Sequence, residues 1–350
     1  MARPRIEWLD SLRGLAMFFV IFGHAWALPA WGKMLIYSFH MPLFFAISGA
    51  VFRVSKYDRL RDCALDKAKG LLLPYLLLYL VNIPLQLISF GVFANTFYSP
   101  QDLLLGFLTG SVMGNSACWP LWFLPCLYLV SVLFWMLARL EVRTKAPLWL
   151  TVSLVFALGV AIWELAPGQG LLHWKTVPMA MLFYYLGHAF MKHRESVFRA
   201  IDYDAGRKCR QSLRFFATLA ILLVAGLWMG WLNGKISMMS NIYHNYGLML
   251  GSACCTSLAL AMVTMALPKV RMLDFAGKNS LGFFGLHRNL LHGIENCTLN
   301  FPLLGSNALV ATAVVWAVLF PLCAFGNRFF PPLVGKWAKP MPKAAVASKA

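Results

Sequence analysis

An all-α polytopic membrane protein, a bundle of about ten transmembrane helices with both termini cytoplasmic, is the fold class this sequence predicts, and three observations carry it. Apolar residues fill 60% of the 350 positions and charged ones only 13%, against about 25% charged in ordinary soluble domains. Mean hydropathy is correspondingly high at +0.66. About ten apolar stretches approach the roughly 17 to 25 residues that a helix needs to cross a hydrocarbon core. The basic residues then fall on alternate connections between those stretches, as the positive-inside rule requires of a chain that crosses back and forth.

The stretches run in order from Leu12 to Trp31, Leu35 to Phe52, Leu71 to Phe90, Leu121 to Ala138, Leu148 to Ala166, Val177 to Met191, Leu213 to Leu232, Tyr246 to Leu267, Leu281 to Leu299 and Leu309 to Phe325. Arg3 and Arg5 precede the first, and Arg53, Lys56, Arg59, Arg61, Lys67 and Lys69 follow the second. Further basic groups follow the fourth (Arg139, Arg143, Lys145), the sixth (Lys192 to Arg214), the eighth (Lys269, Arg271, Lys278) and the tenth (Arg328 onward). The opposite connections hold only Lys33, Lys175 and Lys235. The formal charge of +18 is therefore a topology signal rather than a nucleic-acid footprint.

Two other readings of the first stretch and the cysteines follow from local pattern. Basic residues before an apolar run, with Ala25-Trp26-Ala27 after it, imitate a secretory signal, but Glu7, Asp10 and Arg13 interrupt its start, so the helix is expected to be retained. Eight cysteines show neither CxxC nor a metal-like spacing with histidine. Cys118 and Cys297 both fall near the outer face, where pairing and two free thiols are both open.

One domain is expected over 1–330, with a poorly ordered basic tail over 331–350. The region Gly91 to Trp119 lacks basic residues and is broken by Gly106, Gly110 and Pro100, so it reads as an outer-face loop. A short helix over Leu103 to Phe107 could cap a cavity there. The connection Lys192 to Arg214 is basic enough to lie against anionic headgroups.

Arg13 and His24 stand eleven positions apart in the first stretch. On an α-helix that spacing returns to within about 20° of one face and spans roughly 16 Å. Ionisable groups at membrane depth point to function, because lipid cannot solvate them. The second stretch enters from the other side, which brings His40 and Pro42 to the depth of His24 and predicts a polar cavity open outward. An imidazole of ordinary pKa about 6.5 suits a general base toward a hydroxyl, and a guanidinium near the cytoplasmic edge suits the phosphates of a donor. The plainer reading is a bundle histidine bonded to a carbonyl and an arginine that snorkels or pairs with Asp10. Glu164, Asp274 and Glu295 read as acids solvated at the membrane edge, and Ser48-Gly49 reads as small residues for close helix packing.

The residues Trp8-Leu9-Asp10-Ser11-Leu12-Arg13-Gly14-Leu15-Ala16, followed by Phe22-Gly23-His24, resemble the start of the acyltransferase 3 family, whose mark is an Arg, ten residues and a His. The segment Phe39-His40-Met41-Pro42-Leu43-Phe44-Phe45-Ala46-Ile47-Ser48-Gly49, with Arg53 beyond it, is similar to that family's second motif. Leu121-Trp122-Phe123-Leu124, Tyr184-Tyr185-Leu186-Gly187, and Gly277-Lys278-Asn279-Ser280-Leu281 with His287 resemble its later motifs more loosely.

The resemblance implies a bacterial inner-membrane enzyme that moves an acyl group, usually acetyl, from cytoplasmic acyl-CoA to a hydroxyl of a glycan or related acceptor. It implies His24 as catalytic base, Arg13 as a donor anchor, and Ser48, Gly49 and Arg53 along the donor path. Asp10, His40 and His287 are candidates for the cavity or acceptor site. Acyl-CoA would be a co-substrate, and neither a metal nor a permanently bound cofactor is required. The rival class is a transporter or flippase whose polar residues line a pathway, although no internal repeat or matched pair of broken helices is visible. A structural or sensory membrane protein would leave the polar residues of the first two stretches unexplained.

Overall fold

The computed structural model describes residues 6–86, 99–110, 119–166, 170–296 and 305–336. Arg3, Arg5, Cys118, Cys297 and the tail from 337 lie outside the described residues. Helices make up the architecture, and the described residues hold no strand beyond one isolated bridge between Ser237 and Ile242.

The first helix, α1 (Glu7–His24), begins five residues before the expected Leu12 and ends well short of Trp31. Glu7 and Asp10 in its first turn suit the positive end of the helix dipole, so the charges that interrupt the apolar run also start the helix. After His24 the chain turns, with Ala25 N–H donating to Phe22 O, and resumes behind Pro29 as α2 (Ala30–Tyr37). The expected single helix from Leu35 to Phe52 is broken at Ser38-Phe39, and α3 runs from His40 to Val51. Pro42 is the cause: it has no N–H for the Ser38 carbonyl, and it is tolerated only in the first turn of a new helix.

The third stretch also starts earlier than expected. Helix α4 (Leu60–Lys67) passes through a π-turn at Ala68–Leu72 into α5 (Leu73–Gln86). Arg61, Asp62, Asp66 and Lys69 disguised this helical start as a connection. The short helix expected at Leu103 to Phe107 is α6 (Pro100–Thr109), and a capping box between Ser99 and Asp102 fixes its start.

The remaining helices follow the apolar stretches closely: α7 (Phe123–Thr144), α8 (Leu148–Leu165), α9 (Val177–Lys192), the short α10 (Arg194–Ala200), α11 (Leu213–Asn233), α12 (Tyr246–Ala266), α13 (Arg271–Lys278), α14 (Ser280–Asn296) and α15 (Ala308–Phe329).

Seven segments of the described residues are long and apolar enough to cross a membrane. The three other stretches form α1, α9 and α14. Helix α1 carries Glu7, Asp10 and Arg13, while α9 and α14 have 16 and 17 residues. These three lie inside the bundle: Ala16, Met17, Ile21, Tyr184, Phe283 and Leu291 are buried, whereas Leu154 and Leu158 of α8 and Ile221, Val224 and Trp228 of α11 face outward. Polar and short helices sit where protein rather than lipid surrounds them, and apolar ones form the wall.

Glycine contacts hold the inner helices together. A Cβ on Gly49 would lie 1.9 Å from Tyr184 O, and one on Gly187 would lie 1.8 Å from Ala46 O, so α3 and α9 meet backbone to backbone. The same holds for α1 and α13, where Gly14 meets Leu273 O and Gly277 meets Asp10 O. Such close approach is how helices gain dispersion energy in lipid, where burial of apolar surface offers little.

Helix α13 is also clamped to the start of α1. Ser11 Oγ donates to Asp274 Oδ1 at 2.6 Å, and Lys269 Nζ lies 2.8 Å from Glu7 and 3.7 Å from Asp274. The hydrogen bond to the Glu7 carboxylate holds the Lys269 ammonium above its ordinary pKa. Of the three acids expected at a solvated edge, only Glu164 is exposed. Asp274 is 4% exposed and Glu295 2%, because each is taken up by polar partners between helices. Past α15, Pro331–Val334 forms a 3-10 turn, and Lys336 Nζ donates to Asn279 and Asn327 at 2.7 Å each.

Candidate active site

The end of α1, the break between α2 and α3, and the middle of α14 converge on one place. His24 Nδ1–H donates to Val20 O at 2.6 Å, His40 Nδ1–H to Ile36 O at 2.8 Å, and His287 Nδ1–H to Phe284 O at 2.8 Å. A carbonyl only accepts, so the hydrogen sits on Nδ1 and each neutral ring keeps its lone pair on Nε2. The His24 ring centroid lies 5.2 Å from that of His287 and 6.5 Å from that of His40. His287 is fully buried, and its Nε2 has no hydrogen-bond partner among the described residues.

His24 opens on a cavity of about 350 Å³ shared with Tyr37, His40, Trp122, Lys33 and Arg288. Tyr37 lies tilted beside both histidines, with centroids 6.0 Å from His24 and 5.0 Å from His40. Arg288 reaches back to the end of α1: its Nη1 donates to His24 O at 3.4 Å and lies 3.7 Å from Glu295 Oε2. Glu295 Oε1 in turn accepts the Trp26 N–H at 2.6 Å, which pins the turn that follows His24.

A second concavity, of about 820 Å³, lies at the end of the bundle where the basic connections gather. Arg53, Lys192, Arg194 and Arg199 line it, with His188, His193 and one acid, Glu195. It offers guanidinium forks and ammonium groups to a polyanion. Among the described residues no group of three or more His, Cys, Asp or Glu is arranged to hold a metal ion.

An acyltransferase domain family matches residues 6–325, nearly the whole chain. The chain belongs to this acyltransferase family. No curated protein and no solved structure matches it. Family and helices together make it a multi-pass membrane acyltransferase.

Within this acyltransferase the sequence-derived candidates separate into four groups. His24, His40 and His287 are brought together. Asp10 and Arg13 pair one turn apart at 3.9 Å near the start of α1 and line neither the histidine cavity nor the basic concavity. Arg53 lines the basic concavity, exposed, just beyond the end of α3. Ser48 and Gly49 make packing contacts: Ser48 Oγ donates to Phe44 O of its own helix at 2.8 Å, and Gly49 seats against Tyr184 of α9.

Lys33, Tyr37, Trp122 and Arg288 line the site without having stood among the sequence-derived candidates. One signal for Arg288 was available. An arginine inside a membrane-length stretch needs an internal partner, and Glu295, seven positions on in the same stretch, could supply it.

Proposed function

We propose that this acyltransferase moves an acyl group, acetyl by preference, from cytoplasmic acyl-CoA to a hydroxyl of a glycan or related acceptor on the outer side. In this reading α1, α9 and α14 span the bilayer with the seven apolar segments. That makes ten crossings, with both termini in the cytoplasm of a bacterial inner membrane. The observation that carries the reading is the meeting of three histidines from three helices, each held by Nδ1, with His24 and His40 lining one cavity and His287 packed beside His24.

His24 is the base. It is the ring that lines the cavity at the end of the family's opening motif, and its Nδ1 bond to Val20 fixes the lone pair on the other nitrogen. The acceptor hydroxyl gives its proton to His24 Nε2 as its oxygen bonds to the thioester carbonyl carbon. Collapse breaks the carbon–sulfur bond, and the CoA sulfur takes the proton from the imidazolium. Arg53 and the basic concavity receive the CoA phosphates, and Arg13, near the cytoplasmic edge beside Asp10, is a further donor anchor.

The test is label transfer from radiolabelled acetyl-CoA in membranes that carry the native chain or His24→Ala at equal abundance. Loss of transfer in the variant supports the mechanism. Unchanged transfer overturns it, and acceptor flux without any dependence on acyl-CoA would assign the cavity to transport instead.

A further inference from the structure

The cavity beside His24 holds more positive charge than a general base requires. Arg288 and Lys33 both line it. The acid that contacts this cluster is Glu295, which divides its carboxylate between Arg288 and the Trp26 amide. Arg288 meets that carboxylate at 3.7 Å with Nη1, which also donates to His24 O, and its Nη2 and Nε make no hydrogen bond among the described residues. The guanidinium side chain is 17% exposed. A charge so enclosed is costly unless another charge faces it, and one shared carboxylate at this distance leaves the cost partly uncompensated.

The same excess continues outward. A vestibule of about 710 Å³ shares Lys33 and Tyr37 with the histidine cavity and adds Lys235, Trp31 and Trp231. The sequence places only three lysines on the connections at this end of the bundle, and two of them, Lys33 and Lys235, stand at this mouth. Lys33 uses its ammonium on Trp26 O at 3.4 Å and keeps further donors in hand. Trp31 and Trp231 are 57% and 50% exposed, and their faces suit the C–H face of a sugar ring.

We propose that the acceptor is an acidic saccharide. Its carboxylate or phosphate is held by the Arg288 fork and Lys33 while a hydroxyl of the same residue reaches His24 Nε2. This rests on the acyl-transfer reading above and deepens it. A neutral sugar would need hydrogen-bond acceptors as much as donors, whereas the wall beyond His24 offers cations. Lys235 and the vestibule draw the anion in, and charge in a low-dielectric mouth acts most strongly at short range.

The test needs neither the native acceptor nor a donor. The purified chain in discs of zwitterionic lipid is heated without acyl-CoA, in methyl glucuronide, methyl glucoside or inorganic phosphate at one ionic strength. Glucuronide and phosphate are expected to raise the melting temperature by about 2 °C near saturation, by preferential binding to the folded form, and glucoside to leave it unchanged. Arg288→Gln and Lys33→Gln lose the shift, and Lys175→Gln keeps it. Should Arg288→Gln misfold, Lys33→Gln and Lys235→Gln carry the test. An equal shift with glucoside, no shift with either anion, or a shift that survives both cavity variants overturns the proposal. So does stabilisation by phosphatidylglycerol discs without any by glucuronide, which would assign the mouth to a lipid headgroup. Transfer from acetyl-CoA is measured separately, so failure of the anion site leaves the acyl-transfer reading standing.

Discussion

His24 and His287 meet with ring centroids 5.2 Å apart and planes at 64°, each held by Nδ1 to a carbonyl of its own helix. Two helices distant in sequence therefore fix one imidazole against another without any carboxylate between them. His24→Ala is expected to lower acyl transfer by roughly 10²- to 10⁴-fold, the range for loss of a general base. His287→Ala is expected to cost less, and the double variant little more than His24→Ala alone, because the two act through one site. Initial rates of label transfer at matched abundance check this. Full additivity would separate the two residues.

The Ser-Gly pair on α3 stands in a family motif that implies a place on the donor path, and it also packs helices. With Gly49 against Tyr184 O and Gly187 against Ala46 O, either Gly→Ala change must push α3 from α9. Gly49→Ala is expected to cost about 1–3 kcal/mol, as overpacking does. The measurement is unfolding in detergent beside the KM for acyl-CoA. Lost stability with unchanged KM keeps Gly49 a packing residue. A raised KM in protein of native stability would return it to the donor path.

The basic concavity makes a salt-dependent prediction. Arg53→Gln should raise the KM for acetyl-CoA by roughly 3- to 10-fold at low salt, and the gap should narrow by 0.5 M salt, since exposed charges are screened within a few ångströms there. Arg13→Lys keeps the charge and loses the fork, so its KM effect should persist in salt if Arg13 grips phosphate inside the bundle. Steady-state kinetics at two ionic strengths tests both. Kinetics of Arg13→Lys identical to native at equal abundance would leave Arg13 as the partner of Asp10.

The site was legible where the chain placed costly groups in apolar stretches, and illegible where its geometry depended on breaks. His24 and His40 stood out because lipid cannot solvate them, and their meeting follows from two helices that run in opposite directions. The break at Ser38-Phe39 was hidden inside continuous hydrophobicity, so Tyr37 read as part of one straight helix and Lys33 as a connection residue rather than as lining. Helix α4 was missed for the opposite reason: its charges looked like a connection, yet it runs through a π-turn into α5. Asp274 and Glu295 were read as edge acids from position alone. Their partners, Ser11 and the Trp26 amide, lie 263 and 269 residues away in sequence, beyond the reach of local pattern.

Glu295 supplies the last prediction. Its carboxylate accepts the Trp26 N–H at 2.6 Å and faces Arg288, so it holds the turn directly after His24 against α14. Glu295→Ala removes the acceptor and leaves both the amide and the guanidinium without it. Displacement of a base by about 1 Å can cost up to about 100-fold, and a fall in kcat of about 10-fold or more is expected with donor KM little changed. Glu295→Gln keeps an oxygen for Trp26 N–H and should recover most of that loss. It also removes the counter-charge of Arg288, so phosphate and glucuronide should stabilise Glu295→Gln more than the native chain. Equal kcat values for the Ala and Gln variants would show that the Trp26 contact does not position His24. Equal anion stabilisation of Glu295→Gln and the native chain would show that Glu295 does not limit the charge Arg288 presents.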